Sequence, residues 1–215
     1  MIKAVIFDMD GVIIDSEPIH LKYAMELFKT IEIDMSIEEY NKFIGTNSYY
    51  MWNKIINDYK LKYTMEELIK MERNGFYDFI SSPNMKIEPI KYIPELLKEL
   101  KENNYKIAVA SSSPMRLIEY ILEELKIRKY FDNLVTGDLV ERSKPEPDIF
   151  LYAAEKLGAR PEECVVIEDS HNGVLAAKKA GMKCIGYRNL NSGNQDISKA
   201  DIIIDSFEEI NSKNI

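Results

Sequence analysis

The feature that most constrains the fold of this chain is a set of short apolar runs that do not alternate with polar residues. Each is rich in Val, Ile or Ala and ends in a polar or glycine-containing turn. The clearest runs are AVIFD (4–8), IAVASSS (107–113), CVVIED (164–169) and KCIGY (183–187), and the weaker ones are NLVTGD (133–138) and DIIID (201–205). Strands that are apolar on both faces need cover on both faces, as in parallel sheets flanked by helices. The runs therefore predict an α/β fold with a doubly wound, mostly parallel sheet.

Helical patterns fill the gaps between these runs. Apolar residues recur at helical spacing over 92–103. A second helix is predicted after the serine cluster, with Ser113 as its N-cap and Pro114 in its first turn. A third helix is predicted to end at Gly181, where a C-terminal glycine belongs.

Residues 16–83 have a different character. They contain no convincing strand, and their aromatic and charged residues recur at helical spacing. We therefore expect two domains, an α/β core formed by 1–15 with 84–215 and a helical insertion over 16–83. Tyr49, Tyr50 and Trp52 could form an aromatic binding wall in this insertion, but packing in its own core is the more ordinary use of such residues.

Composition excludes several classes of partner. The 215 residues carry 28 basic and 36 acidic side chains, a net charge of −8, which argues against general affinity for nucleic acid or anionic membranes. No apolar run approaches the roughly 20 residues of a membrane span. Cys164 and Cys184 lack metal-ligand spacing and are expected to be reduced, buried small hydrophobes. The expectation is a soluble, cytoplasmic protein.

Polar residues with chemical potential follow the apolar runs. Open α/β sheets bind ligands at the carboxyl ends of their strands. Those ends carry Asp8 and Asp10, then Ser111 to Ser113, then Glu168 and Asp169, and Lys144 precedes a predicted helix. Buried carboxylates are costly unless they are paired or bind a metal. These residues are therefore expected to converge on one crevice.

The chemistry of this set suits phosphoryl transfer. One ionised carboxylate can act as a nucleophile, and a second can shuttle a proton to a leaving oxygen. Several carboxylates together offer the hard oxygen ligands that Mg²⁺ takes alongside water and phosphate. Ser111 and the following helix can donate to phosphate oxygens, and Lys144 can neutralise the transferring group. The set predicts Mg²⁺-dependent transfer through an aspartyl-phosphate.

At this point the chain resembles the haloacid dehalogenase superfamily of phosphotransferases. The family signature D-x-D-G is matched by residues 8–11, and the serine that closes the second strand by Ser111. Lys144 in KPEPDIF matches the family lysine, and Glu168-Asp169 in EDSHNG matches its acidic pair. All four motifs occur in the family order, and the resemblance covers nearly the whole chain.

The resemblance implies a role for each matched residue. Asp8 would be the nucleophile, Asp10 the general acid and base, and Ser111 and Lys144 would hold the phosphoryl group. It also implies a Mg²⁺ site and a mobile helical cap over residues 16–83, which closes over the crevice. The implied metal ligands are Asp8, Asp10, Glu168 and Asp169. The candidate substrate contacts are His20, Gly45, Thr46, Asn47, Ser112 and Ser113.

Some alternatives remain open at the level of sequence. The chain is similar to a subgroup that includes β-phosphoglucomutase and small sugar-phosphate phosphatases. Mutases of this type carry a Lys before and an Arg after a cap glycine, whereas Ile44 precedes Gly45 here and no Arg follows. We therefore expect a phosphatase acting on a small phosphorylated metabolite, with the mutase as the alternative.

A non-catalytic, phosphate-binding or regulatory protein on the same scaffold is a third possibility. Glu168 is either a direct metal ligand or a residue one step removed from the metal. His171 is expected to be a surface or turn residue rather than part of a hydrolase triad. A monomer would suffice for every step.

Overall fold

The computed structural model describes residues 1–44, 46 and 48–215 as two compact units. One unit comprises Met1–Asp15 and Ile87–Ile215, and the other comprises Ser16–Lys86. We call them the α/β unit and the helical unit. The helical unit is one continuous segment, whereas the α/β unit combines two segments of the chain.

The α/β unit is built on a six-stranded parallel sheet. Its order is β3-β2-β1-β4-β5-β6, and each neighbouring pair is parallel. The strands are β1 (Ala4–Phe7), β2 (Lys106–Ser111), β3 (Asn133–Thr136), β4 (Cys164–Glu168), β5 (Lys183–Tyr187) and β6 (Ile202–Ile204). All six predicted runs are therefore strands, and the predicted fold class is confirmed.

The sheet is covered on both faces. In β1, Ala4 and Ile6 join an apolar cluster with side chains of the helices that precede β4 and β5. Alternate residues of a strand point to opposite faces, so Val5 and Phe7 belong to the other face, where Phe7 meets Phe131 edge-on. All four side chains are completely buried. This two-sided burial explains why the strands read as continuous apolar runs.

Four helices accompany the sheet: α5 (Ile93–Glu102), α6 (Met115–Glu124), α7 (Asp148–Leu157) and α8 (His171–Lys179). Ser170 caps α8 by accepting from the N–H of Gly173, and Gly181 follows that helix with φ +74. The predicted N-cap at Ser113 is wrong. Helix α6 begins at Met115 with Pro114 as its N-cap residue, and the Ser113 hydroxyl is engaged elsewhere, as described below.

The regular structure described in the helical unit is entirely helical: α1 (Glu17–Thr30), α2 (Ile37–Tyr40), α3 (Ser48–Tyr59) and α4 (Met65–Ile80), with one 3₁₀ turn over Asn41–Phe43. Ser36 and Thr64 each begin a helix with a reciprocal capping box. Trp52 is completely buried and packs edge-on against Phe28, whereas Tyr49 and Tyr50 are exposed. The aromatic residues thus divide between core and surface.

Both cysteines are completely buried and free, as expected. Across the described residues, the helices are too short or too polar to cross a bilayer.

Candidate active site

The site lies where the strand order of the sheet reverses. Strands β2 and β3 extend to one side of β1, and β4 to β6 extend to the other, so the carboxyl ends of β1 and β4 border the crevice. Asp8 directly follows β1, and its N–H donates to the carbonyl of Ile167 in β4 at 3.0 Å. Glu168 is the last residue of β4. Parallel register therefore brings together residues that are 160 positions apart.

Lys144 occupies the centre of the acidic cluster. Its Nζ lies 2.6 Å from Oδ1 of Asp8 and 2.7 Å from Oε1 of Glu168. It also donates to the carbonyl of Ala110 at 3.2 Å, and it lies 4.9 Å from the ring centre of Phe150. These three acceptors use all three N–H bonds of an ammonium group. The amine is therefore fixed between two carboxylates.

Glu168 is held from several sides. Its Oε2 accepts from the N–H of Asp169, the N–H of Ser170 and the hydroxyl of Ser170, each at 2.9 Å. A Cβ at Gly173 would overlap the Glu168 carboxylate, so the first turn of α8 must carry a glycine there. Together with Lys144 on Oε1, these donors occupy the carboxylate. This geometry favours Glu168 as an orienting residue for Lys144 over a direct metal ligand.

Asp169 lies beside Gly11 and a residue that the motifs do not include. Its Oδ2 accepts from the hydroxyl of Ser192, which is buried. Gly11 has φ +80, and a Cβ at that position would overlap the Asp169 carboxylate. Gly11 is therefore required both by its backbone conformation and by the space that Asp169 needs.

Asp10 meets the serine cluster at the end of β2. Its Oδ2 accepts from the hydroxyl of Ser113 at 2.8 Å and from that of Ser111 at 3.3 Å. Ser111 also accepts from the N–H of Ser113, and Thr136 donates to the carbonyl of Ser113 at 2.7 Å. The Ser113 hydroxyl therefore binds Asp10 and does not cap α6. Ser112, which lies between Ser111 and Ser113 in the chain, is exposed.

The electrostatics of the cluster are unfavourable for its carboxylates. Burial raises the pKa of Asp8 to about 8 against the lowering effect of Lys144, and the charges of Glu168 and Asp10 add to the rise. Burial, Glu168 and Asp8 likewise raise the pKa of Asp169 well above its usual range. For Lys144, burial lowers the pKa, but Asp8 and Glu168 outweigh it and raise the pKa.

The donor set suits a hard divalent cation. Ligand oxygens of Asp8, Glu168 and Asp169 lie within 4.8 Å of one another, and all three residues are buried. Four acids share one lysine here, counting Asp10, so a cation would offset charge that Lys144 alone leaves uncompensated. Carboxylate oxygens are the ligands that Mg²⁺ prefers. Since Glu168 already accepts hydrogen bonds from four donor groups, Asp8 and Asp169 are the side chains best placed to bind the cation.

The candidate substrate contacts are divided between the two units. His20 is in the helical unit, where its ring stacks on Phe76 at 3.9 Å between centres. Thr46 donates its hydroxyl to the carbonyl of Phe43 at 2.7 Å. Gly45 and Asn47 lie outside the described residues. The predicted roles of these residues and of the helical unit as a cap stay predictions.

Reasoning from motifs missed three buried polar residues at the same edge of the sheet: Thr136, Asn189 and Ser192. Asn189 donates to the carbonyl of Gly11 at 3.0 Å. Their positions along the chain could have identified them, because Thr136 ends β3 and the other two follow β5.

His171 is the first residue of α8, and its ring nitrogen Nδ1 lies 2.9 Å from the carbonyl of Asp196. It forms no triad with the neighbouring Ser170, whose hydroxyl binds Glu168.

These observations define a class: a doubly wound α/β protein whose acidic site lies at the switch point of the sheet, with a helical unit inserted after the first strand. The family model of haloacid dehalogenase-like hydrolases matches residues 5–187. The chain belongs to this family of enzymes.

Individual relatives agree with this assignment. The chain is 30% identical over 213 residues to the phosphorylated carbohydrates phosphatase of Thermotoga maritima, covering 97% of this chain and 96% of that protein. It is 36% identical over 188 residues to the β-phosphoglucomutase of Bacillus subtilis, covering 86% and 82%. The crystal structure of CbbY from Rhodobacter sphaeroides in complex with phosphate has a TM-score of 0.86 and 28% identity, covering 97% and 96%.

Proposed function

We propose that this protein is a Mg²⁺-dependent phosphatase that hydrolyses a small, sugar-like phosphomonoester through an aspartyl-phosphate. The observation that carries the proposal is the single buried group formed by Asp8, Lys144, Glu168 and Asp169 at the switch point. Shifted pKa values of buried acids beside one fixed cation are typical of catalytic sites. Relatives named as a phosphatase of phosphorylated carbohydrates and a sugar-phosphate mutase support the substrate class.

The residues divide the work as follows. A carboxylate oxygen of Asp8 attacks phosphorus, and the bond from phosphorus to the ester oxygen breaks. Asp10, in its protonated form, gives its proton to the departing alkoxide. Water then attacks the aspartyl-phosphate, Asp10 takes a proton from that water, and the bond from Asp8 to phosphorus breaks to release phosphate. The net reaction consumes one ester and one water and yields one alcohol and one phosphate.

Lys144 has two tasks in this scheme. It restrains Asp8, and its positive charge offsets the charge of the transferring group. Glu168 keeps the lysine in place through Oε1. Asp8 and Asp169 would hold Mg²⁺, with Asp10 as the implied third protein ligand, and the bound cation would supply charge neutralisation for phosphate and for the crowded acids.

A mutase is the second candidate because of the β-phosphoglucomutase relative. Such an enzyme needs positive charge for the second phosphate of a bisphosphate. In sequence, Lys42 is the basic residue nearest to Gly45, the position that a Lys and an Arg flank in mutases of this type. It lines a groove of about 290 Å³ in the helical unit together with Lys54, Glu39 and Asp58. The groove carries two acids beside its two lysines, and Ile44 stands where mutases of this type carry a lysine, which favours the phosphatase.

The test is a ³¹P NMR time course with purified protein and Mg²⁺. The substrates are sugar and nucleotide monophosphates, including β-glucose 1-phosphate with a trace of its bisphosphate. Growth of the inorganic phosphate signal at the expense of sugar phosphates is expected, and Asp8→Asn should abolish it. Movement of phosphorus from the 1-position to the 6-position without free phosphate would instead establish the mutase.

A binding protein without catalysis is distinguished in a second assay. Aluminium fluoride with Mg²⁺ mimics a transferring phosphoryl group and should raise the melting temperature of the wild type but not of Asp8→Ala. If aluminium fluoride does not stabilise the wild type and no phosphate is released, the protein is a non-catalytic binding protein.

A further inference from the structure

The loop after β5 carries a buried hydroxyl between exposed neighbours. Ser192 is 5% exposed, while its neighbours Asn191 and Gly193 are exposed and the Leu190 side chain is 89% exposed. The Ser192 hydroxyl donates to Oδ2 of Asp169. A loop residue loses water contacts when it is buried in this way, so the hydrogen bond to Asp169 must replace them.

The position of Ser192 is set by contacts on both sides of it. Its N–H donates to the carbonyl of Asn189 at 3.3 Å, and Asn189 itself donates to the carbonyl of Gly11 at 3.0 Å. On the other side, Nε2 of Gln195 donates to the carbonyl of Ser192 at 3.1 Å. Gln195 in turn accepts from the N–H of His171, the first residue of α8, at 3.0 Å. The loop is therefore attached both to the turn after β1 and to the helix after β4.

Asp169 is also confined by the turn after β1. A Cβ at Gly11 would overlap the Asp169 carboxylate and would come within 3.0 Å of the Ser192 hydroxyl. Gly11, Asp169 and Ser192 thus meet at one point. Asn189 fastens the loop to the same Gly11 that limits the carboxylate. The arrangement leaves Asp169 little freedom to rotate.

We infer that Ser192, held in place by Asn189, is a positioning residue that orients the Asp169 carboxylate for binding a divalent cation. The inference rests on the proposed function, in which Asp169 is a metal ligand. A carboxylate that is already oriented loses less conformational freedom on binding, and a hydrogen bond from a hydroxyl favours its charged form. Residues that orient metal ligands typically contribute 10–100-fold to metal affinity.

A purely structural role for Ser192 gives a different expectation. If the hydrogen bond only attached the loop to the α/β unit, its loss would lower stability and leave the affinity for Mg²⁺ unchanged. The deciding quantity is therefore the dissociation constant for Mg²⁺ and not activity alone.

The experiment is isothermal titration calorimetry of the full chain with MgCl₂ at one pH after removal of divalent ions. It compares wild type, Ser192→Ala, Ser192→Cys and Ser198→Ala. The last is a control, because Ser198 is an exposed serine of the same segment that contacts Asp196, through its N–H at 3.1 Å, and not Asp169. Circular dichroism and melting temperature in EDTA establish that each variant folds. Ser192→Cys keeps the unbranched shape of the side chain but replaces the hydroxyl by a larger, weaker donor, and it provides the comparison if Ser192→Ala does not fold.

We expect Ser192→Ala to raise the dissociation constant for Mg²⁺ about 10–100-fold, with a smaller rise for Ser192→Cys and none for Ser198→Ala. The Mg²⁺ concentration for half-maximal turnover should rise in parallel, while kcat at saturating Mg²⁺ stays close to that of the wild type. Equal affinity in wild type and both Ser192 variants would overturn the inference. Failure of the wild type itself to bind Mg²⁺ would overturn the proposed function instead.

Discussion

The two ends of strand β4 use acidic residues in opposite ways. At the amino end, Glu163 lies 2.6 Å from the Lys3 amine and 3.2 Å from the Arg160 guanidinium. Hydrogen bonds from Arg160 and Lys3 lower the pKa of Glu163 to about 2. At the carboxyl end, next to Glu168, burial raises the pKa of Asp8, which follows the neighbouring strand β1, to about 8. One sheet thus stabilises a carboxylate at one edge and crowds carboxylates at the other.

The difference comes from the ratio of cations to acids. Glu163 has two basic partners for one carboxylate, and both partners are largely exposed, with Lys3 at 64% and Arg160 at 70%. Lys144 is 9% exposed and serves both Asp8 and Glu168. Crowding of buried acids opposes folding, so its presence indicates a site built for a ligand. Removing an acid should therefore cost activity at one edge and stability at the other.

The largest expected effect is that of Asp8→Asn on turnover. The variant keeps the volume of the side chain but cannot form an aspartyl-phosphate, so kcat should fall by about 10⁴-fold or more. Its melting temperature without divalent cations should stay equal to that of the wild type or rise, because a buried charge has been removed. Phosphate release and thermal unfolding measure the two quantities. Near-normal turnover would refute Asp8 as the nucleophile.

Replacing Lys144, the cation that Asp8 and Glu168 share, should lower both the turnover and the stability of the protein. Lys144→Ala leaves Asp8 and Glu168 without their common partner, which should cost about 3–5 kcal/mol of unfolding free energy in urea. Turnover should fall by about 10²–10³-fold with the loss of charge stabilisation.

The double variant Lys144→Ala with Asp8→Asn should unfold at higher urea than Lys144→Ala alone, since one unpaired acid is gone. Simple additivity of the two changes would contradict the coupling that the geometry shows between these residues.

A smaller effect is expected from Gly173→Ala in the first turn of α8. Alanine ordinarily favours a helix, but here its Cβ would meet the Glu168 carboxylate, so about 1–3 kcal/mol of unfolding free energy should be lost. The neighbouring Asn172→Ala is the control, since Asn172 is exposed and a change there should stay within about 0.5 kcal/mol. Equal stability of the two variants would mean that the Glu168 carboxylate moves aside freely.

The smallest effect is expected at the amino edge. Glu163→Gln should lower the melting temperature near neutral pH by a few degrees and leave kcat unchanged. A lowered folded-state pKa gives a stabilisation that is present above the ordinary value of 4.5 and is lost as pH falls toward 2. The difference in melting temperature between wild type and variant should therefore shrink over that range. A difference that persists at pH 2 would assign the loss to packing rather than charge.

Much of the fold could be predicted because burial on both faces leaves a direct trace in sequence. Continuous apolar runs identified all six strands, even the short β3 and β6. The N-cap of α6 was predicted wrongly because a serine before a proline is the usual start of a helix, whereas Ser113 uses its hydroxyl on Asp10. Rules based on neighbouring residues cannot predict this hydrogen bond, because Asp10 is more than 100 residues away from Ser113 in the chain.

The sequence by itself determined which residues reach the switch point, since parallel strands place their carboxyl ends at one edge and the motifs follow those ends. Only the tertiary structure decided how the residues share their charges and hydrogen bonds. In the folded chain, the Glu168 carboxylate accepts hydrogen bonds from Lys144 and from the turn into α8, and the Ser192 hydroxyl donates to Asp169. The physical reason is that hydrogen bonds depend on distances and directions between side chains, which the packing of separate segments sets and which no local pattern of residues encodes.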